Sequence, residues 1–253
     1  MKLYYREFGR GTPVVILHGL LGSSDNWQTI AQALAEEHFV ITPDLRNHGR
    51  SPHVPTHSYP EMAEDLYALL DSLGIYTTSL VGHSMGGKVA MQFALTYPER
   101  VDHLVVIDIA PGVGEGKHEH IFEALHALSI EQIRTRQEAD VFLQKYIPEA
   151  HVRQFLLKNL TRNPDGSFAW KMNLPVLWAH YAYILAPVEG EPFRKPTLFI
   201  RGGQSEYLSE EDLPSIKTLF PRARLETVEG AGHWVHADKP QELLSLLSAF
   251  LSQ

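Results

Sequence analysis

The sequence predicts an α/β fold: a mostly parallel sheet of eight, or seven, strands flanked by helices, with a helical cap inserted late in the chain. Two observations carry this expectation. Short apolar runs of strand type alternate with segments whose apolar residues recur at helical spacing, the rhythm of parallel strands joined by helical crossovers. Between about Pro111 and Pro192 that rhythm stops, and it resumes afterwards. The sheet core is therefore expected over residues 1–110 and 193–253, and the cap over 111–192. A chain of 253 residues is long enough for one large domain carrying such an insertion.

In chain order, the stretch from Met1 to Gly9 alternates polar and apolar residues like a strand, and Val14–Leu17 is a buried-strand run that ends at His18-Gly19. A helix follows from about Trp27 to Glu36, with Ser24 or Asp25 as its N-cap. Phe39–Thr42 forms the next strand, closed by Pro43-Asp44. Apolar residues at helical spacing fill Tyr59–Leu73, and Gly74 stops that helix. Thr78–Val81 is a strand leading through Gly82-His83-Ser84-Met85-Gly86 into a helix over Lys88–Leu95. Leu104–Ile107 is a further strand. Beyond the polar, aromatic and His-rich insertion come strands at Thr197–Arg201 and Arg224–Val228, then an amphipathic helix over Pro240–Leu251.

Composition narrows the function. The apolar fraction of 44% and charged fraction of 21% are ordinary for a globular protein. The net charge is −8 and no basic run stands out, which argues against nucleic acid and anionic membranes as partners. There is no cysteine, so disulfides, thiolate catalysis and zinc-thiolate sites are excluded. No run reaches the ~20 apolar residues of a membrane span, and the first residues lack a signal peptide's apolar stretch. The sequon Asn159-Leu160-Thr161 carries no weight without such a signal. The expectation is a cytoplasmic protein acting on a small molecule, as a monomer or small homo-oligomer.

Ligands of open α/β sheets bind beyond the carboxyl ends of the strands, so reactive residues that directly follow strands deserve most weight. Ser84 lies in Gly-x-Ser-x-Gly between a strand and a helix, a turn that exposes Oγ and points the positive helix end at any oxyanion formed there. Gly82 and Gly86 suit so close an approach of strand and helix. After the first buried strand, His18-Gly19-Leu20-Leu21-Gly22 can turn a backbone N–H, that of Leu20, toward the serine, where it would pair with the N–H of Met85 as an oxyanion hole. Asp108 ends the run from Leu104 and can orient a histidine. His233, in Gly230-Ala231-Gly232-His233-Trp234, follows the last strand and can act as general base. The order serine, acid, histidine is the one such enzymes use.

These motifs, in order and spacing, resemble the α/β-hydrolases nearly end to end. Arg46-Asn47-His48-Gly49-x-Ser51, Ile107-Asp108-Ile109-Ala110-Pro111 and Gly202-Gly203-Gln204-Ser205 further resemble the YbfF-type bacterial esterases. The resemblance implies an α/β-hydrolase fold with Ser84 as nucleophile, His233 as base, Leu20 and Met85 as oxyanion donors, and carboxylic esters of short or medium chain as substrates. In most of the wider family the acid stands on the loop after the Thr197–Arg201 strand, where this chain has Ser205 and Glu206. A serine cannot offer a full negative charge. Asp108 is therefore chosen as the acid, with Glu206 and Asp212 as alternatives.

Trp170, Trp178, Tyr181 and Tyr183 are candidates to line an acyl pocket, or equally to form the core of the cap, and Ser205 and Glu206 are possible contacts on the acid loop. His118 and His120 stand two residues apart and would point away from each other on a helix, so a solvated face is expected there rather than a metal pair. His48 and His83 are read as turn-packing residues, and His236 competes with His233 without a glycine turn around it. The mechanism expected is acyl transfer through Ser84 and hydrolysis by water, with no metal or organic cofactor. A thioesterase, a carbon–carbon hydrolase or lyase with a cationic clamp at Arg46 or Lys88, and a slow-turnover ligand sensor are the competing readings.

Overall fold

The computed structural model spans Met1–Gln253. The first half consists of β1 (Tyr5–Gly9), β2 (Thr12–Leu17), α1 (Gln28–Leu34), β3 (His38–Pro43), α2 (Tyr59–Ser72), β4 (Thr78–His83), α3 (Met85–Thr96) and β5 (Val101–Ile107). The insertion holds α4 (Glu119–Ala127), α5 (Arg136–Leu143), α6 (Ala150–Leu157), β6 (Leu160–Arg162), β7 (Phe168–Trp170), α7 (Leu174–Ala179) and α8 (Tyr181–Leu185). The chain closes with β8 (Thr197–Gly202), α9 (Leu213–Leu219), β9 (Ala223–Val228), α10 (Val235–Asp238) and α11 (Pro240–Leu251).

Seven strands form the main sheet in the order β1-β3-β2-β4-β5-β8-β9. Only β1 runs antiparallel, against β3; every other pairing is parallel. Side chains alternate between two cores, as a strand's period of two demands. Val15 and Leu17 of β2, Leu104 and Val106 of β5 and Phe199 of β8 enter the larger core, with α2, α3 and the insertion. Val14, Ile16, Val105, Ile107, Leu198 and Ile200 enter the smaller one, against α1 and α11. Each such fully buried aliphatic side chain contributes ~1.5–3 kcal/mol of transfer free energy, which is why the runs are apolar throughout.

The chain steps outward from β2 to β3, then returns across β2 to β4. That reversal leaves a crevice beyond the carboxyl ends of β2 and β4, where the loops holding Leu20 and Ser84 emerge.

Two local expectations need correction. Neither Ser24 nor Asp25 caps α1: both lie inside a 3₁₀ turn that Ser23 opens with a capping box to Asn26, and α1 follows directly with Trp27 at its N-cap. The insertion is not wholly helical, because β6 and β7 pair as a two-stranded ladder around a turn at Gly166. With three residues each, these strands are too short for an alternating pattern to register. The insertion joins the sheet through a narrow neck. Gly114 N–H donates to Leu185 O at 2.7 Å and Val188 N–H to Pro111 O at 2.9 Å, so the outgoing and returning segments pair directly.

Candidate active site

β4 brings six consecutive buried residues to the crevice, and the chain turns at Ser84 with φ 53° and ψ −121°. A left-handed φ on a serine costs of order 1–3 kcal/mol and persists only where the surroundings over-determine it. Here Ser84 N–H donates to Ile107 O at 2.9 Å, while Ser84 O accepts from Gly87 N–H at 2.8 Å and Lys88 N–H at 3.1 Å. A Cβ at Gly82 would collide with the Gly86 carbonyl, and one at Gly86 with the Leu17 carbonyl. Both glycines are needed for β2, β4 and α3 to meet this closely.

Asp108, also at positive φ (55°), follows β5 and is completely buried. Its Oδ1 accepts from Gly202 N–H at 2.9 Å. Its Oδ2 accepts from His233 Nδ1–H at 2.7 Å and from the Ser205 hydroxyl. A proton held on Nδ1 by the carboxylate leaves Nε2 as an acceptor, and Ser84 Oγ lies 3.0 Å from it. His83 donates from Nε2 to the His233 carbonyl at 2.8 Å, fixing the His233 backbone. Burial first, then the neighbouring His233 and His236, holds the His83 imidazole well below its ordinary pKa, so that ring is neutral. Tyr207 stacks on the outer face of His233 with ring centroids 3.9 Å apart.

The Gly19–Leu20 peptide is aimed by its carbonyl. Gly19 O accepts from His18 Nδ1–H at 2.8 Å and Gly22 N–H at 3.0 Å. His18 carries its proton on Nδ1 because Nε2 accepts from Leu45 N–H at 2.9 Å. The peptide is trans, so gripping the carbonyl turns the Leu20 N–H the opposite way. Gly19 packs so near Ser84 that an added Cβ would come within 3.3 Å of the serine Cβ. The next two peptides are held as well: Leu21 N–H donates to His48 Nε2 at 3.1 Å, and Leu21 O accepts from Asn159 Nδ2 of the insertion at 2.6 Å. Leu21 itself stands at φ 58°. Leu20 N–H and Met85 N–H, the latter opening α3, are thus a fitting pair of donors for an oxyanion on Ser84.

Residues 12–240 match the family described as alpha/beta hydrolase fold. The chain belongs to the α/β-hydrolase family. It is 44% identical to the sn-1-specific diacylglycerol lipase ABHD11 of Mus musculus, over 94% of this chain and 80% of that protein. It is 41% identical to esterase YbfF of Escherichia coli (strain K12), over 95% and 93% of the two chains. The solved structure of a marine microorganism esterase superposes with a TM-score of 0.96 at 40% identity, covering 98% of this chain and 99% of that one.

In this α/β-hydrolase two mostly apolar lobes flank Ser84 and meet at Leu20 and His118. Leu21, Ile121, Val152, Phe155, Leu156 and Trp234 wall the first. Tyr59, Met85, Ile109, Tyr181, Ile184 and Leu185 wall the second. Lys88 also borders the second lobe, but its ammonium donates to Gly112 O and Ala186 O, each at 2.6 Å, and burial lowers its pKa to about 8. Arg46 is bound to Asp65 at 2.7 Å and Glu61 at 3.1 Å. Neither cation is free to clamp an anionic substrate.

The structure gathers Ser84, His233, Asp108, Leu20 and Met85 at one point, and Ser205 joins them through Asp108 rather than through the imidazole. Glu206 pairs with Lys117 at 3.0 Å on the surface, and Asp212 accepts from Ser209 N–H at 2.8 Å; neither bonds His233. Tyr181 lines a lobe, whereas Trp170, Trp178 and Tyr183 do not. Trp170 is paired across the β6–β7 ladder with Leu160, Trp178 stacks on Tyr181 from outside, and Tyr183 is 59% exposed. His236 stacks on Trp27 at 4.4 Å and does not reach the serine. His118 lies against both lobes, not on a solvated helix face: it precedes the first turn of α4, so helical spacing never governed it. The roles of Asn159, Tyr207 and His118 carry no sequence signal, since each depends on contacts more than 25 residues away along the chain.

Proposed function

We propose that this chain is a serine carboxylesterase acting on short- to medium-chain carboxylic esters. The observation that carries the reading is His233, whose two ring nitrogens bridge Ser84 Oγ at 3.0 Å and Asp108 Oδ2 at 2.7 Å. In the first step His233 Nε2 takes the proton as Ser84 Oγ attacks the ester carbonyl. The Leu20 and Met85 N–H groups hold the oxyanion, and Asp108 stabilises the imidazolium. The alcohol leaves with that proton. Water, deprotonated in turn by His233, then releases the acid from the acyl-enzyme.

The insertion at 111–192 is read as a cap, because Ile121, Val152, Phe155 and Leu156 supply one side of the first lobe. Two largely apolar lobes on either side of the serine suit the acyl and alcohol parts of a neutral ester. The engagement of Lys88 and Arg46 with protein groups weighs against a lyase or hydrolase specialised for anionic metabolites. The same reading describes a cofactor-free cytoplasmic enzyme of small-molecule esters, monomeric or a small homo-oligomer; no helix is long and apolar enough to cross a membrane.

The test is hydrolysis of p-nitrophenyl esters from acetate to palmitate by wild-type and Ser84→Ala protein. Turnover that peaks at short or medium chains and falls by about 10⁶ in the variant is expected. Equal, slow rates in both proteins would remove the esterase reading and favour a ligand sensor.

A further inference from the structure

His118 stands with Ser84 where the two lobes meet, and its contacts favour one tautomer. Its backbone N–H donates to Tyr181 Oη at 3.0 Å, so that oxygen is already an acceptor. The Tyr181 hydroxyl hydrogen is then free to point at His118 Nδ1, 3.3 Å away. With Nδ1 accepting from that hydroxyl, the neutral ring carries its proton on Nε2. Burial, with His233 and His120 nearby, lowers the His118 pKa to about 4, so the ring is neutral under ordinary conditions. The Tyr207 ring stands 6.1 Å from that of His118 and stacks on His233, which keeps the histidine beside the reacting centre. Every hydrogen bond of the His118 side chain runs through Nδ1 to Tyr181, and Nε2 is not among the sealed, partnerless polar atoms of the interior. The open space that His118 borders is the pair of lobes shared with Ser84.

Resting on the esterase reading, we propose that His118 Nε2–H donates a hydrogen bond to a neutral oxygen of the substrate close to the scissile ester, so that oxygenated esters are preferred over their hydrocarbon isosteres. Apart from imidazoles, Asn26 and Glu115 the walls around it are aliphatic and aromatic, and Lys88, the cation that borders them, is engaged elsewhere. A neutral donor in apolar surroundings selects an ether, hydroxyl or carbonyl oxygen rather than a carboxylate, because the carboxylate would be desolvated without a counter-charge. His118 is in this sense a specificity residue, separate from the bond-making groups.

Two isosteric pairs place an oxygen on either side of the ester: 2-methoxyethyl butyrate against butyl butyrate, and ethyl methoxyacetate against ethyl butyrate. The wild-type enzyme should show a higher kcat/KM for the oxygenated member of at least one pair. His118→Leu should lower that ratio by about five- to tenfold, as the loss of one neutral hydrogen bond implies. His118→Gln keeps an N–H donor and should retain most of the preference. The Ser84→Ala protein, titrated calorimetrically with the same esters, should show the preference in Kd, so the contact is read even where no ester is turned over. A ratio unchanged in His118→Leu, or a fall in rate equal for both members of each pair, overturns the proposal. The esterase reading fails by a different sign, namely turnover that survives Ser84→Ala.

Discussion

Asp108 accepts hydrogen bonds from Gly202, Ser205 and His233, three donors from two different loops, on a carboxylate with no exposure to solvent. In the proposed reaction this carboxylate orients His233 and stabilises the imidazolium formed during turnover. Asp108→Asn should therefore lower kcat by about 10⁴, since the amide favours the wrong imidazole tautomer. Glu206→Gln and Asp212→Asn, which alter groups away from His233, should stay within about twofold of wild type by the same comparison. A near-normal rate for Asp108→Asn would move the acid elsewhere. At this scale the sequence was most informative about residues in sharp turns. Ser84 is flanked by Gly82 and Gly86, where a Cβ would clash, and His233 follows Gly230 at φ 74°, so those glycines can be read directly. The bond from Ser205 to Asp108 could not be read, because it joins loops 97 residues apart.

At the scale of elements, the loop from His18 to Gly22, proposed to carry an oxyanion donor, is braced from three sides. His18 and Gly22 hold one peptide, His48 holds the next, and Asn159 reaches across from the insertion to the Leu21 carbonyl. Removing the last brace with Asn159→Ala should lower kcat by about tenfold and leave KM nearly unchanged, because a loosened donor matters most when negative charge develops. Should KM rise instead with kcat intact, the contact would serve substrate binding and not the loop. Gly86→Ala should fail to give soluble folded protein, since its Cβ would press on the Leu17 carbonyl, which belongs to the rigid sheet. Expression and circular dichroism would check this. The central strands were legible because their runs are apolar on both faces, but the β6–β7 ladder was not, being only three residues a strand. Strand order also lay beyond the sequence, as it depends on which pairs of runs pack together.

For the whole molecule, the unusual feature is how many histidines are buried as neutral rings. Burial lowers the pKa of His57 and of His236 to about 3 and holds His48 and His83 well below their ordinary value. In the unfolded chain these rings titrate near 6.5. Between pH 6.5 and about 3 the unfolded state thus binds protons that the folded state refuses, so stability is complete above pH 6.5 and falls as the solution is acidified. With more than one such group, the urea-unfolding free energy should drop by more than about 1.4 kcal/mol per pH unit between pH 6 and 5. A flat profile over that interval would mean that these rings are solvated or charged in the native state.

The insertion leaves and rejoins the sheet at one point. Lys88, on the helix behind the nucleophile, holds the carbonyls of Gly112 and Ala186, which belong to the outgoing and the returning segment. Below that ammonium the two segments also bond to each other. The insertion also touches the sheet side beyond this neck, because Asn159 holds the Leu21 carbonyl, Asn173 pairs with Asn47 and Tyr59 Oη donates to the Ile184 carbonyl. Transplanting residues 115–184 of a homologue that keeps asparagines at the positions of Asn159 and Asn173 should give a chimera that keeps the wild-type reaction while adopting the donor's range of esters. Chemistry and choice of substrate would then be inherited separately, one from the sheet and the other from whatever is hung on Lys88.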